Sequence, residues 1–308
     1  MPKKMKYLIA ILGPTAVGKS KLAVRLAKAM HTEVLSFDSR QFFKEMNIGT
    51  AKVTAEEMAG IPHHFISHRS IHDNYSAGDF EREAVDFLKS FYRKNDFIIG
   101  VGGSGLYLDA LEFGLDRFPE VTHEARQQVQ AIEIEGIKSM QKALKARDPI
   151  YFKEVDLQNP ARLRRALEVC FSGDKPYSAY RKKEAVNRDF QVIRIGLEMN
   201  RGTLYERINQ RVEQMISDGL IEEAKSLYAC KNLKPLQTVG YQEFFDHWDG
   251  KWSEETAIEK VKQHSRNYAK RQMTWFRKNA HIKWFSPDAF ASIMTYLSAE
   301  IDGLEKHF

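Results

Sequence analysis

The sequence predicts an α/β protein in which a parallel sheet is flanked by helices and a small helical domain is inserted. Three observations carry this. A strand-length apolar run, Tyr7 to Leu12, enters a glycine-rich turn and then a stretch of helical periodicity. Two further runs, Val34-Leu35-Ser36-Phe37 and Phe97-Ile98-Ile99-Gly100-Val101, alternate with helical patterns, the arrangement that builds α/β sheets. From about Pro119 the composition turns to charged helices until the alternating run Phe190 to Leu197 returns the chain to the sheet, so residues 118–188 are expected to form the insertion.

The glycine-rich turn is the most informative segment. Gly13-Pro14-Thr15-Ala16-Val17-Gly18-Lys19-Ser20 satisfies G-x-x-x-x-G-K-[ST] at every fixed position. Leu22, Ala23, Leu26, Ala27 and Met30 behind it recur at the spacing of one helix face. A strand, a glycine turn and a helix aim backbone N–H groups and the positive helix end at one anion, and Lys19 adds a full charge. These eight residues are the expected site for a phosphate or diphosphate, and the surrounding sheet is expected to be P-loop NTPase-like.

With 308 residues, 43% of them hydrophobic, the chain can bury a large core, which excludes a disordered or fibrous class. The net charge of +6 favours a polyanionic partner. Cys170 and Cys230 are far apart and lack metal-type spacing, so packing roles in a reducing compartment are expected. No apolar run reaches the roughly 20 residues of a membrane span, and Met1 to Lys6 is too short and polar for a signal peptide. The expectation is a cytoplasmic protein with no membrane partner, acting as a monomer.

Asp38 follows the second strand, at the carboxyl end where open α/β sheets collect ligands. Position alone leaves two roles open: a magnesium-associated carboxylate, or a base that takes a proton from a bound nucleophile. Ser39, Arg40 and Gln41 add polar groups on the same rim, with Ser39 as a plain helix cap the alternative. Ile48 to Lys52 reads as a loop. Pro62-His63-His64 reads as a loop beside the site, because adjacent histidines lack the i, i+4 spacing of metal ligands on one helix. Tyr75 to Phe80 opens a helix reaching about Tyr92, with Ala84, Phe87, Leu88 and Phe91 inward. The third strand ends in Gly102-Gly103-Ser104-Gly105. Its G-x-G-x-x-G match, at Gly100, Gly102 and Gly105, lacks the downstream acidic strand of a dinucleotide site. It also lacks the carboxylate with which ATP-hydrolysing sheets end this strand. These glycines are expected to let a substrate approach the backbone, with the Ser104 hydroxyl holding one of its polar groups.

In the insertion, segments 124–135 and 138–146 read as amphipathic helices, and Asn159-Pro160 as the start of another. Arg162, Arg164 and Arg165 lie largely opposite Leu163, Ala166, Leu167 and Cys170, and Lys175, Arg181, Lys182 and Lys183 continue the basic bias. Thr203 to Ser217 places Arg207 and Arg211 one turn apart, suited to diphosphate oxygens or, alternatively, to salt bridges with Glu206 or Glu213. Thr238-Val239-Gly240-Tyr241 reads as a turn. A last helix, residues 254–278, carries Lys260, Lys262, Arg266, Lys270, Arg271, Arg277 and Lys278 with no acid from the first to the last. Tyr268, Trp275 and Phe276 interleave them, which reads as a track for a phosphate backbone.

Taken together, these segments resemble the tRNA dimethylallyltransferase family. The resemblance rests on Gly13 to Ser20, Asp38-Ser39-Arg40-Gln41, Ile48 to Lys52, Pro62-His63-His64, Tyr75 to Phe80, Gly102 to Leu108, Asn159 with Arg162 and Arg165 to Val169, Val239-Gly240-Tyr241, and Tyr268 to Gln272 with Thr274-Trp275-Phe276. It implies transfer of a dimethylallyl group from dimethylallyl diphosphate, held by Gly13 to Ser20, to the N6 amine of adenosine 37 beside a tRNA anticodon. It implies Asp38 as the base, with Lys19, Arg211 and Ser104 in the catalytic set and a Mg²⁺ ion held partly by Ser20. Ser104 stands where the family usually has threonine. The resemblance further implies that tRNA touches Asp38, Ser39, Arg40, Gln41, Ser104, Arg126, Arg162, Leu163, Arg164, Arg165, Ala166, Gln237, Thr238, Val239, Gly240, Tyr241 and Gln242. The insertion and the basic last helix are expected to grip the anticodon stem-loop. A small-molecule kinase on the same loop and a non-catalytic RNA-binding protein are the alternatives.

Overall fold

The computed structural model describes residues 5–182 and 186–301, and Lys183 lies outside them. The chain begins β1 (Tyr7–Leu12), α1 (Lys19–Ala29), β2 (Val34–Ser36), α2 (Ala55–Met58), β3 (His63–His64), α3 (Ala77–Phe91), β4 (Phe97–Val101), α4 (Gly105–Phe113). A helical stretch follows: α5 (His123–Ile134), α6 (Ile137–Arg147), α7 (Pro149–Glu154), α8 (Pro160–Ser172), α9 (Tyr177–Tyr180). The chain then runs through β5 (Gln191–Leu197), α10 (Arg201–Ser217), α11 (Leu220–Ser226), α12 (Gln242–Trp248), α13 (Glu254–Phe276), β6 (Lys283–Phe285) and α14 (Phe290–Glu300). Among the described residues no helix is long and apolar enough to cross a membrane.

The described strands form one sheet, ordered β3-β2-β4-β1-β5-β6, with every pairing parallel. β1 lies inside it, between β4 and β5, and all six of its residues are buried. Ile11 is level with Val101 and with Ile195, so these strands finish at one edge. A strand covered on both faces must be apolar throughout, which is why β1 reads as a continuous run. Ile9 and Ile11 pack with Leu22 and Leu26 of α1 and Ile293 and Leu297 of α14. Leu8, Ala10 and Leu12 face Phe80, Ala84 and Leu88 of α3 and Leu108 and Leu111 of α4. α3 starts where Ser76 and Asp79 cap each other's backbone N–H groups.

Residues 113–187 form a compact unit of their own, a few residues longer at the start than the expected 118–188. Its core joins Val129, Met140, Leu144, Leu163, Ala166 and Leu167. Asn159 caps α8 by accepting the Arg162 N–H, with Pro160 in the first turn.

Two local expectations change, and two elements had none. His63 and His64 form an edge strand instead of a loop: they pair with Val34 and Leu35, while His63 Nδ1 lies 2.8 Å from the Ile61 carbonyl and His64 Nε2 2.5 Å from Glu33. Residues 39–45 are bends and turns, with an isolated bridge at Phe43, rather than a helix capped by Ser39; the Asp38 carboxylate accepts the N–H groups of Arg40 and Gln41. β6 and α14 had no expectation; three residues are too few to show a period.

The loop after β2 is fastened by Glu223 of α11. Its carboxylate accepts the N–H groups of Asn47, Ile48 and Gly49 at 2.9–3.0 Å and the Tyr241 hydroxyl at 2.7 Å. Glu223→Ala is expected to cost about 3 kcal/mol, because several donors lose one charged acceptor. Urea unfolding followed by circular dichroism checks this; an unchanged midpoint would mean that the loop finds other acceptors.

Candidate functional site

The loop from Gly13 to Ser20 leaves β1 at the sheet edge. Gly13 has φ of 140°, and a Cβ there would sit 2.6 Å from the Leu197 carbonyl oxygen of β5, so both conformation and space demand glycine. Val17 turns inward, while Thr15, Ala16, Gly18 and Lys19 are half-buried and Ser20 is exposed. Lys19 donates from Nζ to the carbonyls of Gly13 at 3.1 Å and Pro14 at 2.8 Å. Desolvation by burial and the nearby Arg211 charge lower the Lys19 ammonium to about 8, partly offset by Asp38. Arg211 of α10 donates to the Thr15 hydroxyl, and burial lowers its pKa against the raising effect of Asp38. It therefore braces the loop; the expected salt-bridge alternative is not used, since Glu213 pairs with Lys262 at 3.2 Å. Arg207 is exposed one turn away.

Asp38 is half-buried at the end of β2 and accepts the N–H of Arg40 at 2.9 Å and of Gln41 at 3.3 Å. Its charge acts on Lys19, Arg211, Arg40, Tyr107 and Tyr268, which gathers these groups around one carboxylate. Burial, with Asp38 adding to it, pushes the Tyr268 hydroxyl up to about 12, so it remains protonated. On the neighbouring strand, β4 gives way to Gly102 and Gly103, and a Cβ on Gly103 would lie 3.7 Å from Asp38 Oδ2. The half-buried Ser104 follows at the start of α4. The structure thus brings Lys19, Asp38 and Arg211 together, with the Gly103-Ser104 turn beside Asp38. Gln41 points elsewhere, donating to the carbonyls of Thr50 and Ala51.

Several expected RNA contacts lie inside. Leu163 and Ala166 are core residues of the helical unit, whereas Arg126, Arg162, Arg164 and Arg165 are exposed. Arg164 is held by Glu133, and Arg165 lies over the Phe118 ring at 5.4 Å. Tyr241 has no exposed surface and Gly240 is buried, so both support the turn from within, while Gln237 and Gln242 are exposed and bonded to each other at 2.6 Å. Thr238 and Val239 are intermediate. The basic track also divides. Lys262 pairs with Glu213 and Glu259, Arg266 donates to Asn209, Lys260 sits on Trp252 and Arg277 meets Glu198. Lys270, Arg271 and Lys278 remain exposed, lining a recess with Asn267, Thr274 and Trp275.

Reading the sequence missed Gln272, Tyr107 and Tyr268 as site residues. Gln272 is buried on α13, its Oε1 accepting the Thr15 N–H at 2.8 Å and its Nε2 donating to the Gly103 carbonyl at 2.9 Å. The motif around it is legible, but a contact across more than 250 residues is not.

Residues 41–279 match the IPP transferase family. The chain belongs to that family. A tRNA dimethylallyltransferase of Christiangramia forsetii is 49% identical, with 96% of this chain and 99% of that protein aligned. Another, of Flavobacterium johnsoniae, is 47% identical over 91% of this chain and 93% of its own length. Among solved structures, the full-length tRNA isopentenylpyrophosphate transferase of Bacillus halodurans superposes with a TM-score of 0.72 at 36% identity, covering 98% of this chain and 99% of that one. A eukaryotic dimethylallyltransferase acting on tRNA gives 0.81 at 25% identity, covering 98% of this chain and 80% of its own. The fold is the P-loop NTPase-like fold of these IPP transferases, and the relatives are prenyl transferases rather than kinases.

The Lys19 shift sets a pH dependence. Its ammonium is charged below about pH 8 and neutral above, so affinity for a diphosphate ester is expected to hold below about 8 and fall as pH rises through it. The ligand-free protein should gain stability from about 8 towards 10.5, where only the unfolded chain keeps that proton. Calorimetric titration across this range checks the binding, and Lys19→Arg should abolish the fall.

Proposed function

We propose that this chain transfers the dimethylallyl group of dimethylallyl diphosphate to the N6 amine of adenosine 37, next to the tRNA anticodon, releasing diphosphate. The observation that carries the reading is Asp38: it lies beside the Gly103 turn, which Gln272 joins to the phosphate loop, and its charge acts on both Lys19 and Arg211 of α10. Near full-length similarity to tRNA dimethylallyltransferases supports it.

An exocyclic aromatic amine is a poor nucleophile, so a carboxylate must remove its proton as the bond to carbon forms. In the proposed step the allylic C1–O bond breaks, the N6–C1 bond forms and the N6 proton passes to Asp38. The leaving diphosphate takes the bonding pair, and Lys19, Arg211 and the loop N–H groups stabilise its growing charge. Ser104 is placed to hold a polar group of the substrate beside Asp38. The adenine leaves the anticodon loop to reach the site, as enzymes that modify a base require.

Mg²⁺ suits this loop. The Ser20 hydroxyl is exposed at the head of α1, and the described residues include no group of three His, Cys, Asp or Glu ligands. That donor set fits an ion carried largely by phosphate oxygens and water, which would supply Lewis-acid stabilisation of the diphosphate. On the RNA side, Ser39, Arg40, Gln237 and Gln242 offer polar contacts, Arg126, Arg162, Arg164 and Arg165 serve from the helical unit, and Lys270, Arg271 and Lys278 meet the backbone. We place the reaction in the cytoplasm and take the active species to be a monomer.

Asp38→Asn keeps the turn's acceptor oxygen and removes the basic carboxylate. It is expected to lower kcat by about 10²–10⁴-fold while leaving anticodon stem-loop affinity within about twofold. Mass spectrometry of the stem-loop reads the first and fluorescence anisotropy the second; a loss confined to RNA affinity would refute the base role. Replacing both Lys270 and Arg271 with Ala should reduce the salt slope of log Kd by about 1 to 2. Anisotropy at several salt concentrations measures it, and an unchanged slope would remove α13 from the RNA interface.

A further inference from the structure

A buried polar side chain joins two segments of the site. Gln272 on α13 has 6% of its surface exposed, and both ends of its amide are engaged. Its oxygen takes the Thr15 N–H, in the loop after β1, and its nitrogen holds the Gly103 carbonyl, in the turn after β4. A Cβ on Gly103 would lie 2.3 Å from Gln272 Nε2, so the amide occupies space that only glycine leaves open. Thr15 is fixed a second time through its hydroxyl by Arg211. The neighbouring Arg271 points outward on the same helix, beside Lys270 and Thr274.

We propose that Gln272 is a positioning residue for the transfer: its amide clamps the phosphate loop to the Gly103-Ser104 turn and ties both to the helix that carries the RNA track. The inference rests on the reaction proposed above. Within the loop, Lys19 holds the carbonyls of Gly13 and Pro14, and the Thr15 N–H is held by Gln272. The clamp takes up the Thr15 N–H and fixes the loop from outside, leaving other loop N–H groups to an anion. Because the same side chain touches the turn beside Asp38, it sets the separation between leaving group and base. An amide is needed here, since the two contacts ask for an acceptor at one end and a donor at the other.

Gln272→Met retains the volume and loses both hydrogen bonds. Each such bond contributes on the order of 1 kcal/mol, so binding of inorganic diphosphate, read by calorimetry, is expected to weaken about tenfold or more. kcat should fall further than stem-loop affinity, which stays within about twofold of the parent. Gln272→Glu provides the second reading. Its carboxylate repels the Gly103 carbonyl, but once protonated it regains a donor and an acceptor. The ratio of variant to parent diphosphate affinity should therefore recover as pH is lowered from about 7 towards about 4, where a glutamate protonates. A folded Met variant with parental diphosphate affinity and kcat would overturn the proposal, as would a Glu variant whose ratio ignores pH. If the parent itself fails to prenylate the stem-loop, the proposed function falls instead; diphosphate binding still tests the clamp.

Discussion

Parallel pairing of β1 with both β4 and β5 is the constraint on which the site depends. It brings the carboxyl ends of these strands level, so that chain segments leaving β1, β2 and β4 emerge at one edge. Backbone groups at such an edge have no strand partner and must find another. Here the Thr15 N–H turns to the side chain of Gln272, from a distant helix, and the Gly13 and Pro14 carbonyls to Lys19, while Arg211 holds the Thr15 hydroxyl. Other N–H groups of the loop make the edge a place for an anion.

Electrostatics at that edge are lopsided. Lys19, Arg211 and Arg40 are all lowered by burial, and Asp38 opposes the shift in each case. One carboxylate thus faces three cations, which suits a site whose ligand brings more negative charge. Where a nucleotide hydrolase would set a further acid after the strand beside β1, this chain has Gly102 and Gly103, and the room is taken by Phe37 and the Gln272 amide. In the proposed reaction that leaves Asp38 as the group available to the acceptor amine.

α13 divides its labour by face. Val261, Ala269, Gln272 and Phe276 turn inward, while Lys270 and Arg271 are exposed on the helix, as is Trp275, 45% exposed, and Lys278 is exposed just past its end. The cations towards the amino end are spent on intramolecular partners, so the surface left for a polyanion is the carboxyl-terminal third. One helix can both anchor the phosphate loop and present exposed cations because Lys270 and Arg271 lie within one turn of Gln272 on a different face.

The sequence by itself determined the phosphate loop, the strands on either side of it, Asp38 at a strand end, and the family. Each is a local pattern: a fixed spacing, a period, or a motif read in order. Tertiary structure decided which matched residues reach the site. Leu163, Ala166 and Tyr241 sit inside motifs yet face the core: helical spacing already set Leu163 and Ala166 opposite the arginines, whereas Tyr241 lies in a turn, where no period marks burial. Likewise, four of the cations in and just after the last long helix are engaged within the molecule: Lys262 and Arg277 by the carboxylates of Glu213 and Glu198, Arg266 by Asn209 and Lys260 by the Trp252 ring. Gln272 lay in a quoted motif without a role, because the N–H and carbonyl it joins are backbone atoms, which every residue type carries and no sequence pattern marks.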